Sequence, residues 1–264
     1  MPLSLQTFAT VEEASVALRA AGTRYLGGGT LCVRAANEGD LSFGTFVRSA
    51  EKSLREIRMA EGVVSIGASV TMAEIARHKK LSPIANAARA VGGPAVRNMA
   101  TVGGNLFAPS PYGDFAVALL ALDAAVTIEG REMPLDAFLP NRDAASGIAT
   151  GVRFGLRGAE NFRFLKVSRV KPKGVSVLSI AAVVELAADG TVAYARLALG
   201  CMADRPIRAK GAEEALIGKP LTAVGVAGAI ERAGEGIDPP TDPVASAWYR
   251  REVLPVHLRR LLVG

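Results

Sequence analysis

An almost wholly apolar segment, Phe115 to Asp123, follows a turn-rich stretch that begins at Arg97. The segment predicts a buried helix, because a helix with apolar residues all round avoids water. The stretch before it contains the pair Gly103-Gly104, two prolines and several small polar residues, which predict a backbone bend. Paired glycines lack the Cβ atoms that would hold a ligand away from the main chain. The rest of the chain must therefore form a scaffold around this helix and this bend.

Two further features flank the predicted helix and suggest a site. Asp114 directly precedes the helix, so its carboxylate is placed to cap free backbone N–H groups. An earlier glycine run, Gly27 to Thr30, follows the extended residues 24–26 and precedes a second element that contains Leu31. Such a glycine hinge exposes backbone N–H groups and suits a phosphate. A tight turn that needs positive φ angles is the alternative, and the glycine run alone favours the turn.

The chain has 264 residues, of which 50% are hydrophobic and 21% are charged. This is an ordinary composition for a globular protein of one to three domains. No apolar run reaches the roughly 18 to 20 residues that span a bilayer. The N-terminus lacks a basic segment followed by an apolar core, so no signal peptide is predicted. The sequence therefore predicts a cytoplasmic protein without a membrane span.

The net charge of +6 comes from basic residues that are spread along the chain, with no Lys/Arg-rich run interleaved with aromatics. Nucleic-acid binding is therefore not predicted, whereas an acidic partner or cofactor phosphates suit this charge. Cys32 and Cys201 stand far apart, without a C-x-x-C spacing. The chain by itself is thus predicted to hold neither zinc nor an iron–sulfur cluster. Both cysteines are predicted to be buried thiols in a reducing compartment.

Several elements can be predicted from local patterns. The clearest is a hairpin whose two β-rich segments flank Asp189-Gly190, a strong two-residue turn signal. Thr10 and Thr71 each precede a helical pattern and have a glutamate three residues later, which predicts two capping boxes. Near the C-terminus, helices are predicted over residues 207–216, 221–233 and 244–262. His78 lies among Arg77, Lys79 and Lys80, and is predicted to be a solvated helix-end residue rather than a ligand.

These elements predict an α+β fold in three parts, residues 1–55, 56–160 and 161–264. The first part carries the early glycine loop and the second carries the loop before the buried helix. The third is predicted to be a sheet followed by helices. The first two parts are expected to face each other with a nucleotide between them.

Taken together, the two glycine loops resemble those of the flavin-binding medium subunit of the molybdenum hydroxylases. This family includes carbon monoxide dehydrogenase, xanthine dehydrogenase and bacterial aldehyde or N-heterocycle hydroxylases. The most specific match is the segment from Thr101 to Asp114. The other matching segments are Gly27 to Thr30, Arg97-Asn98, Ala118 to Asp123, Arg196 to Gly200, Pro206 to Arg208, Tyr249 to Arg251 and Leu258 to Arg260.

The resemblance implies a two-lobed FAD-binding fold of the vanillyl-alcohol-oxidase type, with a C-terminal sheet-and-helix domain. It also implies non-covalent FAD. The first loop would wrap the pyrophosphate and Asp114 would bind the ribitol or ribose hydroxyls, while a lysine near the flavin ring corresponds to Lys166. The cofactor-binding residues implied are Gly27, Gly28, Gly29, Thr30, Leu31, Thr101, Gly103, Gly104, Asn105, Ser110, Asp114 and Lys166.

The resemblance further implies a role in electron transfer within a multi-subunit enzyme. Substrate would be oxidised on a large molybdenum-cofactor subunit, and a small [2Fe–2S] subunit would pass the electrons to FAD on this chain. An external acceptor would then take them, and the assembly would be a heterotrimer or its dimer. No catalytic residue is assigned to this chain, because it has two histidines and no Ser-His-Asp set.

The sequence departs from the family pattern at three positions. Leu31 stands where the family usually has Asp or Ser after the threonine, so one polar contact is lost. Val170 replaces the second of two arginines, and Gly174 replaces an aspartate in the segment that borders the flavin. Two alternatives therefore stay open. One is a stand-alone flavin oxidoreductase, and the other is an assembly subunit whose flavin site has decayed.

Overall fold

The computed structural model of the chain describes residues 3–144, 147–155, 161–170 and 174–264. Helices and strands are mixed along the chain, as the sequence predicts. The strands are β1 Ser4–Phe8, β2 Thr23–Tyr25, β3 Thr45–Ser49, β4 Ile57–Ala60, β5 Val63–Gly67, β6 Ala125–Ile128, β7 Arg131–Pro134, β8 Ala149–Gly155, β9 Phe162–Ser168, β10 Ser176–Leu186, β11 Val192–Gly200 and β12 Ile207–Arg208. The α-helices are α1 Val11–Leu18, α2 Cys32–Asn37, α3 Met72–Arg77, α4 Ala85–Ala90, α5 Pro94–Arg97, α6 Val102–Leu106, α7 Asp114–Ala121, α8 Leu135–Phe138, α9 Lys210–Leu216, α10 Ala227–Arg232 and α11 Ala247–Val263. Short 3₁₀ turns span Lys52–Arg55, Lys79–Ile84 and Leu139–Asn141.

The strands form three sheets that follow one another along the chain. The first is parallel, with the strand order β1-β3-β2. The second is antiparallel, with the order β4-β5-β8-β6-β7. The third is antiparallel, with the order β12-β11-β10-β9, and it contains the predicted hairpin of β10 and β11. The boundary predicted at residue 160 falls within 156–160, which lie outside the described residues.

Helix α7 packs against β10 and β11 of the third sheet and is buried along its whole length. Its apolar residues belong to the core cluster that also contains Val64 and Ile66 from β5 and Ala181 and Val183 from β10. The segment predicted as a buried helix is therefore confirmed, with its start one residue earlier, at Asp114. Strand β10 is buried on both faces, because its alternate residues pack against the helices α9 to α11. The C-terminal part is thus joined to the loop-bearing part through α7.

Both predicted capping boxes are present. The backbone N–H of Glu13 donates to the Thr10 hydroxyl at 3.2 Å, and the Glu13 carboxylate accepts from the Thr10 N–H at 3.2 Å. The same exchange joins Thr71 and Glu74 at the start of α3. These contacts satisfy N–H groups that the first turn of a helix leaves free.

Replacing Thr10 with alanine is expected to lower the free energy of unfolding by about 1 kcal/mol, because the start of α1 loses its side-chain acceptor. Denaturant unfolding of the variant and the wild type measures this difference. Binding of the cofactor that the resemblance implies serves as the control, and it is expected to stay unchanged because α1 lies outside the two glycine loops. Equal unfolding midpoints in the two proteins would contradict the capping role.

Two local predictions are wrong. The helix predicted over 207–216 is a short strand followed by α9, because Ile207 and Arg208 pair with β11 before the helix begins at Lys210. The helix predicted over 221–233 is confined to α10. Pairing with β11 decides the structure of Ile207 and Arg208, whereas residues 221–226 form bends and turns before α10 begins.

Candidate cofactor site

The two glycine loops are in direct contact. Gly28 lies against the backbone of Met99 and Ala100, and a Cβ atom added to Gly28 would lie 1.8 Å from the Met99 carbonyl oxygen. A Cβ on Gly27 would lie 3.0 Å from the Thr101 hydroxyl oxygen. Only glycine permits two backbones to approach this closely. The structure therefore brings Gly27 and Gly28 together with Thr101.

The first loop presents backbone N–H groups that have no partner. Its glycine at position 29 has φ of +75°, in the left-handed region that favours glycine. Within the described residues, the N–H groups of Gly27 to Leu31 donate no hydrogen bond, whereas the neighbouring Leu26 N–H donates to the Val47 carbonyl. Consecutive free N–H groups form a concave surface of positive partial charge that suits an anion. The arrangement fits the pyrophosphate of a dinucleotide.

The second loop is fixed to the second sheet and to α6. The Gly103 N–H donates to the Ala68 carbonyl at 2.8 Å, and a Cβ on Gly103 would lie 3.1 Å from the Cβ of Ala68. The Thr101 hydroxyl caps α6 by accepting from the Gly104 N–H at 3.1 Å. The Asn105 side chain donates to the Thr101 carbonyl at 3.0 Å and is buried. Gly104 itself is exposed, so the rigid bend presents an open backbone surface.

Ser110 and Gly113 lie in the turn between α6 and α7. The Ser110–Pro111 peptide bond is cis, and Gly113 has φ of +90°. The Ser110 hydroxyl oxygen is buried next to the Cys201 thiol, which follows β11. The turn between the two helices is therefore packed against the third sheet.

Asp114 does not cap α7, and this prediction is wrong. The helix begins at Asp114 with Gly113 as the N-cap, and no side chain caps it. The Asp114 carboxylate is buried and forms an ion pair with the Lys166 ammonium at 2.8 Å. Its other oxygen accepts from the Ser176 hydroxyl at 2.6 Å. The partners lie on β9 and β10, so the third sheet fixes this carboxylate beside the second loop.

The Lys166 ammonium has two hydrogen-bond partners. Besides Asp114, its ammonium donates to the Ala90 carbonyl at 2.8 Å, and only 13% of its side chain is exposed. Lys166 therefore belongs with Asp114 in one buried polar group. Ser176, which completes this group, lies in a strand of small and apolar residues that carries no local signal of a site.

The structure also contains a contact between α2 and the second loop that the sequence does not predict. The Arg34 guanidinium donates to the Tyr112 hydroxyl at 3.2 Å and pairs with Glu38 at 2.8 Å. Leu31, the first departure from the family pattern, is the N-cap of α2 and provides no side-chain cap. Since α2 follows directly on the first loop, the Arg34–Tyr112 contact helps to fix the two loops relative to each other.

The departure at Gly174 has a structural reason. The Gly174 N–H donates to the Val170 carbonyl at 2.7 Å, and a Cβ on Gly174 would lie 2.3 Å from that oxygen. Val170 itself is 66% exposed. The Ser168 hydroxyl donates to the same carbonyl at 3.1 Å. A glycine is therefore required where the chain returns toward β10.

The two cysteines differ in burial. Cys201 is buried, as predicted, whereas Cys32 is only half-buried. The Cys201 thiol donates weakly to the Ser176 carbonyl at 3.5 Å. Burial raises the pKa of Cys201 to about 12, and the nearby Asp114 carboxylate adds to the increase. Burial also raises the pKa of Cys32.

Cys201 is expected to resist alkylation in the folded protein. With a pKa of about 12, its thiolate is about one part in ten thousand at pH 8, and the thiolate is the reactive form. Iodoacetamide at pH 8 followed by peptide mass spectrometry is expected to modify Cys32 first and Cys201 only after denaturation. Equal rates of modification in the native protein would contradict the burial of Cys201.

Within the described ranges, no group of three or more His, Cys, Asp and Glu side chains could hold a metal ion. No helix among these residues has the length and apolar character needed to cross a bilayer.

The chain matches two family models that together cover most of its length. Residues 2–153 match the FAD binding domain in molybdopterin dehydrogenase, and residues 163–263 match the CO dehydrogenase flavoprotein C-terminal domain. The first match covers more than half of the chain. The chain therefore belongs to the family of FAD-binding subunits of the molybdopterin dehydrogenases.

Individual relatives agree with this assignment. The chain is 33% identical over 187 residues to the nicotinate dehydrogenase FAD-subunit of Eubacterium barkeri, covering 65% of this chain and 63% of that relative. It is 29% identical to the glyceraldehyde dehydrogenase medium chain of Sulfolobus acidocaldarius, over 77% of this chain and 76% of that relative. Reconstituted CO dehydrogenase from Oligotropha carboxidovorans has the same fold, with a TM-score of 0.88 at 21% identity over 99% of this chain and 97% of that chain.

The comparisons confirm the predicted resemblance to the flavin subunits of the molybdenum hydroxylases. They also confirm FAD as the cofactor of the family and oxidoreductases as the class of enzyme. The fold is thus an FAD-binding domain followed by a C-terminal domain. The individual cofactor-binding residues are not tested by these matches and stay predictions.

Proposed function

We propose that this chain is the electron-transfer subunit of a multi-subunit molybdenum hydroxylase. In this role it holds FAD between an iron–sulfur subunit and an external electron acceptor. The observation that supports the proposal most strongly is the contact between the two glycine loops. Their backbones touch at Gly28 and Met99, while the N–H groups of Gly27 to Leu31 have no partner within the described residues. This geometry suits a dinucleotide whose pyrophosphate lies against free N–H groups.

Each loop has a separate task in the proposed site. Gly27, Gly28, Gly29 and Thr30 would bind the pyrophosphate through backbone N–H groups, together with the N–H of Leu31. The other side would be lined by five residues of the second loop, which are Thr101, Gly103, Gly104, Asn105 and Ser110. The rigid hydrogen bonds of the second loop would keep this surface in place before the cofactor arrives, so little ordering entropy is lost on binding.

Asp114 would accept hydrogen bonds from ribitol or ribose hydroxyls. Its two oxygens provide about four acceptor positions, of which Lys166 and Ser176 use two. The remaining lone pairs stay available to a ligand. In this proposal Lys166 and Ser176 are positioning residues, since they hold the carboxylate in a single orientation and compensate its burial.

FAD, when bound, would supply the redox chemistry, and the chain would supply binding, orientation and electrostatics. The buried Lys166–Asp114 pair at the start of α7 would place a fixed dipole beside the cofactor. No substrate oxidation is assigned to this chain. The substrate would react at a molybdenum site on a large partner subunit, and a small [2Fe–2S] subunit would deliver the electrons.

We also propose the finer features that the resemblance implies. These are a two-lobed fold of the vanillyl-alcohol-oxidase type, a division into residues 1–55, 56–160 and 161–264, a heterotrimer or its dimer, and a cytoplasmic location. The three successive sheets, one within each of these ranges, support the division.

Purification of the chain from its natural source tests the proposed role. An affinity tag on this chain is expected to recover two further polypeptides, together with FAD, molybdenum and iron in fixed ratios. A tagged chain that carries FAD but recovers no partner, molybdenum or iron, and that oxidises a substrate by itself, would favour a stand-alone flavin oxidoreductase. A folded chain that recovers the partners without FAD would favour a decayed assembly subunit.

A further inference from the structure

A basic groove lies at the free edge of the second sheet, away from the glycine loops. It is lined by Ile57, Met59, Arg77, His78, Lys79 and Lys80, and it is an open depression with a volume of about 480 Å³. An adjoining volume of about 390 Å³ shares Ile57, Arg77 and His78 and adds Arg55. Its floor is the edge strand β4, and its wall is the end of α3 and the 3₁₀ turn after it. An open depression leaves one side of a bound molecule in contact with water, so binding here would rely on the charges and the apolar side chains of the groove.

The groove has an excess of unpaired positive charge. Arg55, Arg77, Lys79 and Lys80 form no ion pair with any other described residue, whereas the neighbouring Arg58 pairs with Glu56. The one carboxylate at the groove, that of Glu74, accepts from the Thr71 N–H and hydroxyl in the capping box. Clustered cations around a concave surface attract anions and concentrate them there.

His78 forms part of the wall of the groove. Its ring is half-buried rather than solvated, and its Nδ1 atom is buried. Because Nδ1 has no surface open to the groove, a bound anion would contact the exposed cations rather than this nitrogen.

The groove also has an apolar side. Ile57 and Met59 alternate with exposed residues on β4, so both side chains face the groove and pack against the edge of the core. A ligand with an apolar body would cover these two side chains while its charged group lies among the cations. Inorganic ions alone would leave them open to water.

We propose that this groove binds a small organic anion, with its apolar body against Ile57 and Met59 and its carboxylate or phosphate near Arg77 and the other exposed cations. The site is separate from the flavin loops. Helix α3 joins the two regions, because the N–H of its first residue, Met72, donates to the Ala100 carbonyl of the second loop, whereas its last residue lines the groove. Helix α3 has six residues, so its two ends are about 9 Å apart.

Calorimetric titration with benzoate, phenyl phosphate and the neutral analogue benzyl alcohol tests the proposal on the whole chain. Saturating FAD is present, so that the flavin site does not compete for the phosphate. Both anions are expected to bind, and benzyl alcohol is expected to bind about tenfold more weakly, since it lacks the charge-assisted hydrogen bonds. Tighter binding of one anion identifies a carboxylate or a phosphate as the natural group.

Two matched variants make the test specific. Arg77→Ala is expected to weaken anion binding by about tenfold. Arg131→Ala removes an exposed cation from β7, at the opposite edge of the same sheet, and is expected to leave binding unchanged. Unfolding midpoints of both variants verify that the fold is intact. Equal binding of anions and benzyl alcohol, equal losses in the two variants, or no binding of either anion would overturn the proposal.

Discussion

Replacing Gly28 with alanine is expected to raise the dissociation constant of FAD by about 100-fold, which corresponds to about 3 kcal/mol. The new Cβ would lie 1.8 Å from the Met99 carbonyl oxygen and 3.1 Å from the Ala100 Cα. Both contacts are with backbone, which cannot rotate away as a flexible side chain would. The two loops would therefore have to separate, and the N–H groups of the first loop would lose their position relative to the second.

Gly44→Ala is the matched control for this prediction. Gly44 lies in the same N-terminal part, and a Cβ at this position would meet no atom within 4 Å. The variant is expected to bind FAD as the wild type does. Fluorescence titration of FAD into the apoproteins measures the FAD affinities of the wild type and of the two glycine variants. An affinity of Gly28→Ala within about twofold of the control would show that the loop contact does not form the site.

The second large effect is expected at the buried ion pair. Lys166→Met leaves the Asp114 carboxylate buried without its cation, and is expected to lower the free energy of unfolding by about 3 kcal/mol. FAD binding is expected to weaken as well, because the carboxylate loses the contact that orients it. Both side chains are largely buried, with 13% and 7% of their surface exposed. Solvent screening therefore reduces the effect only slightly.

Two comparisons isolate the ion pair in this prediction. Lys210→Met breaks an ion pair with Asp136 in which the lysine and aspartate side chains are 66% and 39% exposed. This variant is expected to lower the free energy of unfolding by less than about 0.5 kcal/mol. Adding Asp114→Asn to the Lys166→Met protein is expected to recover part of the lost stability, because the uncompensated charge is removed. Denaturant unfolding of the four proteins gives these values. Equal losses for the two lysine variants would contradict a structural role for the buried pair.

Elements whose structure depends mainly on contacts among neighbouring residues can be predicted from local composition. Helix α7 can be predicted because nearly all its residues are apolar, and such a helix has to be buried. The β10–β11 hairpin can be predicted from the Asp189-Gly190 turn, and two helix starts from their capping boxes. In these cases the deciding contacts lie within a few residues of each other along the chain.

Elements that depend on distant partners cannot be predicted in this way. Strand β1 has mostly exposed residues and no alternating apolar pattern, and its pairing with β3 sets its structure. Capping of α7 by Asp114 is predicted wrongly from the sequence, because its actual partners Lys166 and Ser176 lie 52 and 62 residues further along the chain. The glycine loops could be located from sequence, yet their contact at Gly28 and Met99 appears only in the fold.

The most direct test of the proposed site is the absorption spectrum of the purified chain before and after FAD is added. We expect the two visible bands of oxidised flavin to remain with the protein after gel filtration, at one flavin per chain. Acid precipitation is expected to release all of this flavin as free FAD, because the proposed site holds it by backbone and carboxylate hydrogen bonds only. A chain that is folded by circular dichroism yet retains no flavin at saturating FAD would contradict the proposal that the two glycine loops form an FAD site.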